Sequence, residues 1–576
     1  MARIEPRLTS NALEVLRARY LRTDADGRVS ETPAEMFWRV ASHVAASERR
    51  YGEDPDAAAE AFYDAMVRLE FLPNSPTLMN AGTAAGQLAA CFVLPVEDSL
   101  DSIFNTLHDA ALVHQTGGGV GYDFSRLRPA GDRVTSTGGV ASGPVSFMKA
   151  FDAAVDAVRQ GGRRRGANMG VLDVHHPDIE SFIVVKRTAG TLRNFNLSVA
   201  VDDGFMAAAA DGRLIDLVSP RTGRVVGRRE ARALLERIAE SAWETGDPGL
   251  VFVDRVNRDD PIPELGRITA TNPCGEVPLR PHEACVLGSI NLSHLSATGA
   301  FDWPRLEDLT ELGVRFLDDC IDASVFPLPQ IAAAARASRK IGLGVMGFAD
   351  ALIDLGIPYD DPAAIRFAED VMARMAAVAA AESRRLAETR GAYPHFPRSR
   401  DGHAGVAPTR NATRIAIAPT GTLSLLAGCS SGIEPLFAVA YERHVLDGAT
   451  LVEVNARFEQ RARVAGVWTP QLRAKILESG RVRHIVEVPD ALRRLFPTAH
   501  DVSAEQHIRI QAACQAHVDN AVSKTVNLAS EVTVGDVLDV YRRAFELGCK
   551  GITVYRHGSK AGQVLVCGTC ESSSPM

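Results

Sequence analysis

The stretch Asn272-Pro273-Cys274-Gly275-Glu276 sets an amide, a thiol and a carboxylate at alternate positions. Proline holds its predecessor extended and glycine allows a sharp bend, so the spacing predicts a loop tip. If the stretch is extended, the three side chains share one side. Such a trio is equipped to bind a hydroxylated substrate, react with it and move its protons. Two further thiols stand far off in sequence, Cys91 in Leu88-Ala89-Ala90-Cys91-Phe92-Val93 and Cys285 in Pro281-His282-Glu283-Ala284-Cys285. Burial is the commoner fate of an unbridged cysteine. A thiol kinked between proline and glycine and flanked by polar residues makes a poor core residue, which favours chemistry at Cys274.

Two turns carry hydroxyls and little else: Asn74-Ser75-Pro76-Thr77 and Pro419-Thr420-Gly421-Thr422-Leu423-Ser424. The second follows the strand-like Ile415–Ala418 and precedes a helix start. Backbone N–H groups and hydroxyls at such a place cradle phosphate without a lysine. Taken alone, each turn is unremarkable. Near the end, Cys567-Gly568-Thr569-Cys570 reads as half a zinc site or as an exchanging dithiol. His557 is the nearest further ligand and stands alone, so redox is favoured and no metal is expected. Ile341-Gly342-Leu343-Gly344-Val345-Met346-Gly347 contains GxGxxG, but Arg339-Lys340 precede it and no acidic partner follows at about 20 residues, so it is not read as a dinucleotide fingerprint. Adjacent His175 and His176 should point apart on a strand and receive no role. Arg163-Arg164-Arg165 suits phosphates, although a solvated run is the ordinary meaning of such a cluster.

The elements that must position these residues follow from periodicity. Residues 1–73 read as helices, with a capping box at Thr32-Pro33-Ala34-Glu35, a second helix from about Asp56 to Leu69, and Pro73 as its stop. Beyond Asn74, strand-like runs (Cys91–Leu94, Asn196–Val201, Leu214–Val218, Ile415–Ala418, Ile552–Tyr555) alternate with helical stretches such as Ala363–Arg390. That alternation argues for a largely parallel α/β fold and leaves a doubly wound sheet and a barrel both open. Periodicity fades from Gly562 to Met576, read as a tail.

Composition sets the bounds. The 576 residues are 46% apolar and 23% charged with a net charge of −8, an ordinary globular balance with no basic field for nucleic acid. No apolar stretch reaches membrane-spanning length and the first residues form no signal core. Nine cysteines without a secretion signal suggest a reducing cytoplasm. Cys320, Cys429, Cys514 and Cys549 read as packing.

From about Asn74 to about Leu565, these segments in this order resemble the catalytic chain of ribonucleotide reductases, specifically the class II, adenosylcobalamin-dependent enzymes. The resemblance implies a ten-stranded α/β barrel over 74–561 with the Cys274 loop projecting through it, a helical region over 1–73 and a redox tail over 562–576. It implies that Cys274 becomes a thiyl radical, that Glu276 is the general base and that Asn272 binds the ribose hydroxyls. Cys91 and Cys285 supply the reducing equivalents and end as a disulfide, which requires Cα atoms about 5–6 Å apart. Cys567 and Cys570 re-reduce that pair and are recharged by thioredoxin or a similar reductant. Ser75, Thr77, Thr420, Gly421 and Thr422 hold the phosphates of a ribonucleoside diphosphate. Asp98 and Arg128 bind a deoxynucleoside triphosphate effector, with Gly161–Met169 as the linking loop. In this family the GxGxxG glycines serve close packing of a barrel strand and its helix, and a homodimer is implied.

Class II is favoured over class I because the expected pair of adjacent tyrosines reads Tyr555-Arg556, and over class III because no glycyl-radical segment is visible. The Asp-x-His-x-x-Gly cobalamin motif is absent at Asp401-Gly402-His403. The rivals are a thiol–disulfide oxidoreductase working through Cys567 and Cys570, and a non-catalytic nucleotide-sensing homologue. The first leaves the Cys274 loop and the phosphate turns idle; the second would be favoured by loss of Cys274 or Glu276, and both are present.

Overall fold

A computed structural model describes residues 4–134, 138–158, 166–445 and 449–559, together with the backbone of 565–566. Arg163, Arg164, Arg165, Cys567 and Cys570 lie outside the described residues. Three helices open the chain, Ser10–Arg19, Pro33–Ala45 and Pro55–Val67. The capping box forms: Thr32 accepts from the Glu35 N–H and the Glu35 carboxylate accepts from the Thr32 N–H. The third helix ends at Val67, before Pro73, which lies in a strand. A buried ionic cluster ties this region to the helices around the sheet. Arg390 donates to Glu48 at 2.6 Å and to Asp319 at 2.7 Å, and all three side chains are fully buried.

Ten strands form one sheet: β1 (Phe71–Pro73), β2 (Cys91–Leu94), β3 (Gly119–Asp123), β4 (Asn168–Asp173), β5 (Phe195–Val201), β6 (Gly249–Phe252), β7 (Ala284–Asn291), β8 (Ile341–Met346), β9 (Thr525–Leu528) and β10 (Gly551–Arg556). From β2 through β3, β4 and β5 to β6 every pairing is parallel. The pairs β7–β8 and β9–β10 are also parallel. The two blocks meet antiparallel at two seams, β2 against β7 and β6 against β10. The expected parallel character therefore holds within each block and reverses at the seams and where β1 runs antiparallel against β7.

Closure comes from a segment that is not a regular strand. The strand-like Ile415–Ala418 joins β8 and the approach to β9 through single parallel bridges, Leu343 to Ile415 and Ile417 to Val522. Gly342 and Gly344 make room for it: a Cβ on Gly342 would lie 2.8 Å from that of Ala416, and one on Gly344 would collide with the Ala416 carbonyl. Gly342 and Gly344 thus admit a neighbouring strand segment, where packing against a helix was expected, while a Cβ on Gly347 would meet Asn291 and Ser293. Leu214–Val218 also departs from expectation, pairing with Val225–Glu230 in a hairpin outside the barrel.

The period of two divides the strands between two cores. Cys91 and Val93 of β2, Met169 and Val171 of β4, and Cys285 and Leu287 of β7 share an interior cluster. Their neighbours Phe92, Leu94, Leu172 and Val286 join the outer core under the helices. Both cysteines therefore face into the barrel.

Candidate active site

The tip sequence lies inside the barrel as a hairpin. Ala270–Thr271 pairs antiparallel with Pro278–Leu279, and Gly275 takes φ 82°, which glycine reaches without strain. The Gly275 N–H donates to the Asn272 carbonyl at 3.1 Å and the Asn272 N–H to the Val277 carbonyl at 3.3 Å. The stretch is thus a turn and not extended, and the three side chains do not share one side: Asn272 and Glu276 are buried while Cys274 is exposed at the tip. Two glycines of β3 let the hairpin in. A Cβ on Gly119 would lie 2.9 Å from the Pro273 ring and one on Gly121 would collide with the Thr271 carbonyl.

The hairpin brings its amide and carboxylate to Cys91. Asn272 Nδ2 donates to Cys91 Sγ at 3.1 Å, and Cys91 Sγ donates toward Glu276 Oε1 at 3.9 Å. Asn272 Oδ1 accepts from the Val277 N–H at 3.0 Å, which fixes the amide. Cys91 is in turn the cross-strand partner of Cys285. Residues directly opposite on an antiparallel ladder have Cα atoms about 4.5–5.5 Å apart, within the reach of a disulfide. Both are buried thiols. Burial pushes the Cys285 thiol well above its ordinary value.

Cys274 opens onto a cavity of about 410 Å³. Asn196, Ser198, Asn527 and Thr553 line it beside Pro273 and Gly275. Asn196 was not singled out in the sequence, yet its Nδ2 donates to the Pro273 carbonyl at 2.8 Å and anchors the tip. Its only sequence signal is a polar residue in an apolar strand. Tyr555 lines the same cavity. Arg556 faces away, donating to the Trp243 carbonyl at 2.9 Å with its guanidinium 4.0 Å over the Trp243 ring.

The two hydroxyl turns lie at helix starts. Thr420 adopts φ 54° and precedes the short helix Gly421–Ala427. Its Oγ1 accepts from the Gly432 N–H at 2.8 Å, so Ser430-Ser431-Gly432-Ile433-Glu434-Pro435 braces the turn. Gly421 is exposed and Thr422 half-buried. Ser75 opens the helix Ser75–Asn80, and its hydroxyl meets that of Tyr20 at 2.7 Å. Thr77 is fully buried, with its hydroxyl donating to the Leu88 carbonyl at 2.9 Å. The helix Ser10–Arg19 packs on Gly421–Ala427, so with Tyr20 it touches both turns.

Asp98 and Arg128 meet each other. Arg128 Nε donates to Asp98 Oδ2 at 2.8 Å and the Arg128 N–H to Oδ1 at 3.1 Å. His175 and His176 lie in a turn after β4, not on a strand, and do diverge. His175 Nε2 meets Asp202 Oδ2 at 3.2 Å, and His176 Nε2 meets the Leu127 carbonyl at 2.8 Å, next to Arg128. Cys320, Cys514 and Cys549 are buried in the outer core; Cys429 is half-buried. Among the described residues no helix is long and apolar enough to cross a membrane.

The chain is similar to known proteins along most of its length. Residues 6–86 match the all-alpha domain of ribonucleotide reductase, and residues 89–407 and 402–555 match its barrel domain. The chain is 53% identical over 567 residues to a vitamin B12-dependent ribonucleoside-diphosphate reductase of Mycobacterium tuberculosis, covering 98% of this chain and 81% of the relative. It is 45% identical over 627 residues to a protein of the same name from Thermoplasma acidophilum, covering 99% and 81%. Its backbone is similar to the class Id ribonucleotide reductase alpha subunit of Actinobacillus ureae, with a TM-score of 0.77 at 24% identity over 96% of this chain and 97% of that one. At that identity the likeness concerns the fold. The chain belongs to the ribonucleotide reductase family.

Proposed function

We propose that this chain is a vitamin B12-dependent ribonucleoside-diphosphate reductase, making 2′-deoxyribonucleotides for DNA synthesis. The observation that carries the reading is one chain of contacts: Asn272 and Glu276 flank Cys274 on the hairpin, both reach Cys91, and Cys91 stands opposite Cys285.

The surroundings of Cys274 fit a cofactor that brings a radical from outside. Its thiol is exposed in an open cavity, and the second tyrosine of a relay is replaced by Arg556, which is engaged on Trp243. Asn196, Ser198, Asn527 and Thr553 would hold the adenosyl end of the cofactor. When bound, adenosylcobalamin would supply a carbon-centred radical. Cys274 gives up its thiol hydrogen atom, and the thiyl takes the 3′-hydrogen of the substrate. Glu276 accepts the 3′-hydroxyl proton as general base, and Asn272 holds the ribose hydroxyls. Cys91 and Cys285 deliver two protons and two electrons as the 2′-hydroxyl leaves as water and carbon 2′ gains a hydrogen, and become a disulfide, while Cys274 returns the 3′-hydrogen.

Ser75, Thr420, Gly421 and Thr422 bind the substrate phosphates, while Thr77 acts from below by fixing the first turn. Asp98 and Arg128 form an effector site for a deoxynucleoside triphosphate. Cys567 and Cys570 return electrons to the buried pair and receive them from thioredoxin or a similar dithiol. Leu100 and Phe104, exposed one turn apart on the helix Leu100–Gln115, support association of two copies. The test is direct: the purified chain, CDP, adenosylcobalamin and dithiothreitol should yield dCDP with no second subunit. An absolute requirement for a diiron partner protein would overturn the reading.

A further inference from the structure

The seam that pairs Cys91 with Cys285 continues one strand further. Val286 pairs with Ile341 in the parallel β7–β8 ladder, so Lys340, one residue earlier, stands beside Cys285. Cys91, Cys285 and Lys340 thus form a row across three neighbouring strands. Glu283 lies two residues before Cys285, on the same face. It accepts from Lys340 Nζ at 2.6 Å, and the two side chains are only 4% and 2% exposed.

Glu276 acts on both sulfurs, and the Lys340 ammonium is the strongest charge acting on Cys285. Cys91 donates toward the Glu276 carboxylate, which suits a thiol, and accepts from the neutral Asn272 amide. A thiolate there would face a carboxylate. Around Cys285 the Lys340 ammonium draws the thiol back down against burial, while the carboxylates of Glu276, Asp519 and Glu283 push it up. Thiol exchange favours departure of the sulfur that is the better-stabilised thiolate.

We propose that Lys340 sets the direction in which the oxidised pair is re-reduced: the incoming thiolate attacks Cys91 and Cys285 leaves. The proposal rests on the reading that this pair is oxidised during turnover. A bond forms between the incoming sulfur and Cys91 Sγ as the Cys91–Cys285 bond breaks. The electron pair goes to Cys285 Sγ, which leaves as a thiolate beside Lys340 and is then protonated. The second thiol of the reducing dithiol resolves the mixed disulfide, Cys91 takes a proton, and two electrons and two protons have passed to the pair. Lys340 acts as a positioning residue throughout, and Lys340→Arg should preserve its effect.

The test maps the first exchange. The full chain is oxidised with diamide, treated briefly with 2-mercaptoethanol, quenched in acid, unfolded and alkylated with N-ethylmaleimide. Peptide mass analysis should find mercaptoethanol on Cys91 and maleimide on Cys285; the reverse, or an even split, overturns the proposal. Because diamide forms the disulfide, a failure of direction is distinct from a failure of the reductase reading, which the dCDP assay tests separately. In the reduced chain, Lys340→Met should raise the pH midpoint of Cys285 alkylation by about one unit, the scale of losing one nearby opposite charge. Lys340→Arg should leave the midpoint near that of the unaltered chain. An unshifted midpoint in a folded Lys340→Met chain would remove Lys340 from the account. If that variant does not fold, the map on the unaltered chain still decides the direction.

Discussion

Cys91 and Cys285 face each other across the antiparallel seam where the two parallel blocks of the barrel meet. Each side chain points inward because each occupies an interior position of its strand. The pair is therefore held by two ladders at once, and closing a disulfide asks for little backbone movement. The hairpin that carries Cys274 lays its amide and carboxylate against Cys91, so one rigid frame positions all three thiols.

Cys274→Ser should abolish dCDP formation, because a hydroxyl does not readily give its hydrogen atom to a carbon radical. Cys274 is exposed at the tip, so the fold should be unaffected. The check is product analysis together with thermal unfolding: an unchanged melting curve with no product is expected. Residual turnover above background would assign the radical to another thiol.

Gly121→Ala should disable the enzyme from a position that touches no substrate. The added methyl would collide with the Thr271 carbonyl, a backbone atom that cannot swing aside. The hairpin would have to shift, at a cost of about 1–3 kcal/mol in stability. A displacement of about 1 Å in a reacting group costs on the order of a hundredfold in rate. Urea unfolding and steady-state turnover on one preparation would check both; normal turnover would mean that the tip tolerates movement.

The hairpin tip was legible because proline, cysteine and glycine leave a backbone little choice. Its shape was not. Alternate positions suggested three side chains on one side, whereas the turn buries Asn272 and Glu276 and exposes Cys274. The helical opening and the capping box are local signals and were read from local residues. Which strands become neighbours depends on pairings between distant segments, and no periodicity encodes the match of Cys91 with Cys285 or of Lys340 with its row. The same holds for Asn196, whose role depends on where Pro273 arrives. Ile415–Ala418 looked like a strand and closes the barrel with single bridges, because it fits only where Gly342 and Gly344 have no side chains.

Arg128→Ala should weaken the response to deoxynucleotide effectors while some basal turnover remains. The guanidinium is held by Asp98 and partly exposed, so it is presented and not buried. Losing a charge-assisted contact to phosphate costs about 1.5–3 kcal/mol, or roughly ten- to a hundredfold in effector affinity. Effector titrations of substrate choice would measure it, and an unchanged titration would remove Arg128 from the site.

His175 gives a stability prediction with a definite sign. The hydrogen bond to Asp202 raises its pKa to about 9. A raised value means that the folded state binds the proton more tightly than the unfolded chain, whose histidine titrates near about 6.5. The contribution is complete below that unfolded value and is lost as pH rises through about 9. Since the pair is partly exposed, its size should be on the order of 1 kcal/mol. Urea unfolding at pH 6 and at pH 9.5, these two values being about half a unit beyond the ends of the window, should separate the unaltered chain from His175→Gln at the lower pH and bring them together at the higher. Parallel curves would show that the ion pair contributes nothing.

Replacing both Cys567 and Cys570 by serine should leave one pre-reduced turnover intact and stop the next. The reason is access: Cys91 and Cys285 are 3% and 1% exposed inside the barrel. Exchange needs a thiolate to reach one of those sulfurs, and a folded protein reductant is too large to enter. Dithiothreitol is small enough, so it should partly restore repeated turnover in the double variant, whereas thioredoxin should not. The unaltered chain should accept either reductant. Rapid-quench measurement of dCDP per chain would separate the first turnover from the rest. Normal multiple turnover of the double variant with thioredoxin would rule out the dithiol as the carrier, and metal binding would then be the next role to test for Cys567 and Cys570.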